Sequence, residues 1–234
     1  MRTVMPSNVI DDSERNDFVP ELGSQVHRFG RSERFLHWWI VSMYSLALLT
    51  GVAMGDEAES GSLLQTHIAA VVLIGAGIVV VLVVGDAMAV LRSAKDLLII
   101  DRTDVRWIIR QVTHPFSRED FPWGKFNIGQ KLLAWSLLGA LTALIVTGVH
   151  SWSSGGDSYG PHSVAVVVSL VLLGSHVFMA ILNPSTRPAL PGMIFGHVKR
   201  SWAAKHHGGW LAAQDAKDAK RSRTSRASEK VGRS

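Results

Sequence analysis

Apolar residues in this chain come in blocks rather than in alternation with charged ones. Four blocks are long enough to cross a hydrocarbon core as helix, which takes roughly 20 residues. They run over about 35–54, 63–84, 131–150 and 162–182. The second is the cleanest, since 68–84 contains no polar side chain. The first opens with Arg34 and the Trp38-Trp39 pair, as an interfacial belt does. Pro184 closes the fourth, because a proline cannot continue a regular helix. The pattern predicts an all-α, integral membrane four-helix bundle.

The connections give the bundle an orientation. The segments 55–62 and 151–161 contain no Lys or Arg, although the chain has 24 of them. Basic residues gather on the cytoplasmic side of membrane helices. Both termini and the linker 86–125 are therefore expected in the cytoplasm, with the two short loops outside. Within the linker, 105–112 has apolar residues at helical spacing with arginines between them and predicts a short surface-lying helix. Residues 1–27 are polar and 213–234 are rich in Lys, Arg, Ser and Ala, so both ends are expected to be disordered, the tail touching anionic lipid. The first thirty residues hold no apolar core of a signal peptide. No nucleic-acid partner is expected.

Composition narrows the chemistry. The chain has no cysteine, which excludes iron–sulfur ligation, thioether-attached haem and zinc–thiolate sites within it. Ionisable residues inside membrane segments are costly and so are functional candidates. Four histidines qualify: His37, His67, His162 and His176. Each taken alone reads equally well as a helix-end cap or an interhelical hydrogen bond. Their depths suggest more. His162 and His176 are 14 residues apart, ~21 Å of rise and only ~40° short of four turns. In the expected topology His67 is level with His162 near the outer face, and His37 is level with His176 near the inner face. Two imidazoles facing each other, with no thiolate or carboxylate beside them, suit the axial positions of a b-type haem. Two such pairs predict two haems and a role in electron transfer, since no open coordination site remains. Gly51 is also 14 residues after His37, where a flat porphyrin can approach bare backbone; ordinary small-residue helix packing explains it equally well. Thr147-Gly148-Val149 repeats Thr50-Gly51-Val52. Arg31 and Arg34 are the nearest cations for propionates at the inner face.

Several motifs together resemble the cytochrome b (gamma) subunit of membrane-bound formate dehydrogenase. They are Arg34-Phe-Leu-His37-Trp38, His67 opening the second helix, Lys125-Phe-Asn127-Ile-Gly129-Gln130-Lys131, the His162/His176 spacing, Gly192-Met-Ile-Phe-Gly196 and Trp202-Ala-Ala-Lys-His206-His207 with Trp210. The likeness covers about 28–212. It implies a membrane anchor for an iron–sulfur beta subunit and a molybdenum- or tungsten-pterin alpha subunit, on which formate is oxidised. Electrons would pass through two haem b groups to menaquinone or ubiquinone in the bacterial cytoplasmic membrane. It further implies that His67 and His162 hold the outer haem, that His37 and His176 hold the inner one, and that Asn127, Gly129 and Gln130 form the quinone pocket. Asn127 and Gln130 share a helical face, and their amides can both donate and accept; a plain helix cap explains Asn127 as well.

The chain departs from that pattern in its longer polar N-terminus, its short first outer loop and two further histidines, His150 and His197. His114 and the His206-His207 pair read as surface residues, although the pair could serve proton entry or a subunit contact. Two rival functions stand beside the first: the cytochrome b subunit of a hydrogenase or of another molybdoenzyme such as thiosulfate reductase, and a haem-free anchor or transporter.

Overall fold

The computed structural model describes residues 25–55, 61–114, 123–154 and 159–231. Four long helices dominate it: α1 (Arg31–Met54), α2 (Gly61–Val84), α5 (Ile128–Ser153) and α6 (Tyr159–Val177), the last continued by a π-helical turn, Phe178–Leu182. All four are long and apolar enough to cross a membrane. Leu49, Val52, Val72, Val79, Val83, Val146 and Val171 turn outward and stay exposed. That surface suits hydrocarbon, where helices satisfy every backbone polar group internally. α1 packs along α2 and α5 along α6, giving two hairpins. Gly77 lets the first close up: a Cβ there would lie 2.2 Å from the Trp39 indole, whose Nε1 donates to Leu73 O at 2.7 Å.

The linker holds two helices, α3 (Ala87–Leu98) and α4 (Arg102–Thr113). The second contains the expected 105–112 segment; the first was not foreseen. Asp86 caps α3 through Ala89 N at 2.9 Å, and Asp101 caps α4 through Thr103 N and Asp104 N. Asp101 and Asp104 also hold Lys131 Nζ at 3.1 and 2.5 Å. Lys131 and Asp104 are both buried, and a buried charge is tolerated only when paired. This triad fastens α4 to the start of α5.

Beyond the π turn come a short 3-10 turn (Arg187–Ala189), α7 (Leu190–Phe195), α8 (Arg200–His206) and α9 (Gly208–Val231). Two three-residue strands qualify the all-α expectation: β1 (Gln25–His27) pairs antiparallel with β2 (His197–Lys199). Gly196 makes the return possible. Its φ of +92° suits glycine, and a Cβ would lie 2.9 Å from Phe29 O. Part of the N-terminal segment expected to be disordered is thus strand β1, and the remainder, 1–24, lies outside the described residues.

The basic tail also departs from expectation, since α9 carries helix through the described part of 213–234. The absence of an apolar face there removed the packing signal but not the propensity: Ala, Lys, Arg and Gln are strong helix formers. The first turn is anchored by buried Leu211 and by Trp210 N donating to Trp123 O at 3.1 Å. Val26, Val198, Trp202, Ala203 and Leu211 form the small core beneath it.

Candidate functional site

The bundle has a loop end, where each hairpin turns, and a linker end, where β1, β2, α3, α4, α7 and α8 gather. His67 lies near the start of α2 at the loop end. Its Nδ1–H donates to Ala47 O at 2.8 Å, with Thr50 Oγ1 at 3.4 Å. Gly51 leaves room for that ring, since a Cβ there would lie 3.4 Å from His67 Cε1. The second hairpin repeats the device. His162 Nδ1–H donates to Thr147 Oγ1 at 3.1 Å, while that hydroxyl donates onward to Ala143 O at 2.6 Å. A Cβ on Gly148 would lie 3.2 Å from His162 Cε1. Each Thr-Gly step therefore cradles the histidine of the following helix, and the space beside Gly51 is filled first by an imidazole. The repeated tripeptide was visible in the sequence; the contact behind it was not.

A proton fixed on Nδ1 leaves the Nε2 lone pair free to bind metal. The His67 and His162 rings face each other across the hairpins, with centroids 6.4 Å apart and planes at 80°. At the linker end His37 of α1 and His176 of α6 do the same, at 6.1 Å and 58°. A metal bound by two imidazoles takes each nitrogen at ~2 Å, with the ring centre roughly 1 Å behind it, so the centres stand about 6 Å apart. Both pairs have this spacing. Among the described residues no three His, Cys, Asp or Glu converge as a metal cluster. Each level thus offers two imidazoles, and the remaining donors of a metal bound there would come from a cofactor. A porphyrin iron fits that set.

Asn127 and Gln130 meet at the start of α5. Asn127 caps the helix: Gln130 N donates to Asn127 Oδ1 and Asn127 N to Gln130 Oε1, both at 3.0 Å. Both side-chain carbonyls are engaged by the cap, so the amide NH2 groups are what remains for a ligand. Gly129 is exposed beside them. Lys125, two residues earlier, reaches Glu33 Oε1 at 2.8 Å and Ser93 Oγ at 2.5 Å. Burial holds the Lys125 ammonium below its usual range, against the pull of Glu33. An open cavity of about 360 Å³ lies here, lined in part by Phe126, Lys131, Asp101 and Trp210.

His207 is the residue sequence reasoning misplaced. It is buried at 1% exposure, not at the surface. Its Nδ1–H donates to Gly124 O at 2.8 Å, and its Nε2 accepts from the Arg28 guanidinium at 3.3 Å. Arg28 is itself buried, donates to Lys125 O at 2.7 Å and lies within 6 Å of the Phe29, Trp202 and Trp210 ring centres. Burial, then the nearby Arg28 charge, depresses the His207 pKa to about 3. No periodicity marks such a residue. His206 stacks on Trp202, while His114, His150 and His197 are exposed. Arg31 is exposed; Arg34 spends Nη1 on Ile194 O at 2.8 Å and Nε on Gly30 O at 3.4 Å. With Trp38 Nε1 donating to Met193 O, Arg34 docks the 192–196 motif onto α1.

Comparison with known proteins agrees with this geometry. The profile of the family described as prokaryotic cytochrome b561 matches residues 28–196. The nitrate-inducible formate dehydrogenase cytochrome b556(Fdn) subunit of Escherichia coli is 29% identical over 133 residues, covering 52% of this chain and 60% of that protein. The formate dehydrogenase cytochrome b556 subunit of Haemophilus influenzae is 28% identical over 208 residues, covering 80% of this chain and 82% of that protein. The chain thus spans less than two thirds of the Escherichia coli relative and more of the other. Four membrane-crossing helices, two facing imidazole pairs and a profile match over most of the chain lead to one statement: this multi-pass membrane protein belongs to the prokaryotic cytochrome b561 family.

Proposed function

We propose that the chain is the dihaem cytochrome b subunit of a quinone-reducing formate dehydrogenase, anchoring an iron–sulfur subunit and a molybdenum- or tungsten-pterin subunit to the membrane. The observation that carries this reading is the pair of imidazole couples, spaced 6.4 and 6.1 Å centre to centre and ~21 Å apart along α6. His67 and His162 hold one haem and His37 and His176 the other. A haem held at each level would supply one-electron transfer, and the two together would carry electrons across the bilayer.

The polypeptide does the rest. Ala47 O and Thr147 Oγ1 fix the tautomer and orientation of the loop-end ligands. The absence of Lys and Arg from 55–62 and 151–161 supports a loop end outside and a linker end in the cytoplasm. At the linker end the amides of Asn127 and Gln130 donate to a quinone carbonyl, and exposed Gly129 leaves space for its ring. Electrons entering outside and protons entering inside then build membrane potential without a proton pump. The names of the relatives, formate dehydrogenase cytochrome b556 subunits, support the choice of formate dehydrogenase as the partner enzyme.

The test is affinity purification from membranes, with a pyridine haemochrome assay and identification of co-purifying subunits. Two b haems per chain and a formate-oxidising partner are expected. One haem or none would remove the dihaem reading, and a hydrogenase partner would replace the donor alone.

A further inference from the structure

Midway between the two imidazole levels the hairpins are joined by a side-chain hydrogen bond: Tyr44 of α1 to Ser169 of α6, O to O 2.6 Å. Ser169 Oγ also lies 2.8 Å from Val166 O, to which it donates, so the Tyr44 hydroxyl donates to Ser169. Ser169 is buried at 4% exposure. The placement is regular. Tyr44 is seven residues after His37 and seven before Gly51, whose open side faces His67. Ser169 is seven residues after His162 and seven before His176. Seven residues are ~10.5 Å of rise and ~20° short of two turns. Both partners therefore stand on the ligand-bearing faces of their helices, halfway between the levels.

A polar pair deep in a membrane segment is costly unless its groups satisfy each other. Here the bond crosses between the two hairpins, along the line on which both histidine pairs also cross. The buried neighbours Ala47 on α1 and Ala165 on α6 are small, so the tyrosine ring is the bulky group on these two faces, with buried Ile74 of α2, seven residues after His67, at the same depth.

We propose that Tyr44, seated by Ser169, is the partition between the two haem slots: its ring closes the space between the hairpins and fixes the two ligand pairs as separate, aligned sites. This rests on the dihaem reading and assigns Tyr44 a positioning role within it.

The test compares wild type, Tyr44→Leu and Tyr44→Phe as full chains purified from membranes. Haem content of the wild type comes first. Fewer than two haems per chain would remove the dihaem reading itself rather than the role of Tyr44. With two present, low-temperature EPR of the ferric protein reports imidazole geometry at each level, and potentiometry reports each midpoint. Tyr44→Leu is expected to lose the two separately resolved low-spin signals in favour of broadened ones and to shift both potentials. Tyr44→Phe, which keeps the ring, is expected to bring the resolved signals back. Wild-type signals and potentials in Tyr44→Leu would overturn the proposal. Should that variant fail to accumulate, Tyr44→Met, which also removes the ring, is read by the same two outcomes.

Discussion

The loop-end and linker-end histidine pairs share one spacing and differ in how they are held. At the loop end each ring is pinned from the helix before it, through Ala47 O and Thr147 Oγ1, with a glycine against its edge. At the linker end, among the described residues, neither His37 nor His176 has a hydrogen-bond partner; His37 meets Trp38 edge to face at 5.3 Å. Outer-shell partners orient metal-binding imidazoles and raise their basicity. One pair is thus set by its own protein, while the other stands next to a knot of paired charges (Glu33 with Lys125, Lys131 with Asp101 and Asp104). The difference separates a pair of rings held still by neighbouring backbone and hydroxyl groups from a pair that stands beside ion pairs.

The sharpest way to break the comparison is to delete one member of each pair. His67→Ala is expected to lower haem content from two to one per chain and leave the linker-end haem reducible. His176→Ala is expected to leave the loop-end haem reducible and to abolish quinone reduction. Pyridine haemochrome and a reduced-minus-oxidised spectrum read both, and a chain that keeps two haems in either variant contradicts the ligand assignment.

The next effect belongs to the linker end and to acid. His207 folds with a pKa of about 3, below its ordinary value of 6.5. Between those values the unfolded chain binds the proton and the folded one does not. Folded stability therefore falls as pH drops through this window, by about 1.4 kcal/mol per unit once well below 6.5, and is regained on the way back up. Thermal unfolding in detergent from pH 7 to pH 4.5 should show that slope, and His207→Gln should flatten it. An equal slope in both proteins would place the acid sensitivity elsewhere.

Smaller effects probe the loop-end cradle. Gly148→Val forces side-chain atoms onto the His162 ring, for which a Cβ alone already stands 3.2 Å away. Overpacking of this kind costs about 1–3 kcal/mol. A shifted loop-end potential with an unchanged linker-end potential is expected, and Gly51→Ala, at 3.4 Å, should do less. Thr147→Val removes one partner of the His162 ring and leaves it the backbone hydrogen bond to Leu144. Second-shell losses weaken metal binding roughly 10–100-fold, so dilution or competing apomyoglobin should strip haem from the loop end first. Equal stripping at both ends would erase the contrast.

Much of this was legible before any coordinates. Continuous apolar runs with no internal charge leave a helix no fold but a membrane span, and the fixed rise of a helix turns sequence spacing into depth. The facing of His37 with His176 and of His67 with His162 was readable for that reason. Asn127 was readable as a cap, and the structure engages its carbonyl in that role. What escaped depends on contacts between distant segments. His207 is made internal by Gly124 and Arg28, which lie far away in the chain. The β1–β2 pair joins residues near opposite ends of the described chain. The glycine cradles need two helices side by side before Gly148 means anything to His162. Helix α9 was missed for another reason: its residues favour helix without offering a face to bury.

Neither hairpin owns a complete ligand pair. The first contributes His37 and His67 and the second His162 and His176, so an iron bound as proposed would be clasped by both halves. In biogenesis this makes cofactor capture a late event. The leading half can enter the bilayer as soon as the ribosome has released it, but it waits with two open imidazoles until the last span arrives. Metal loading and the meeting of the halves become one step, and a cell short of haem would accumulate paired helices that have not closed on each other.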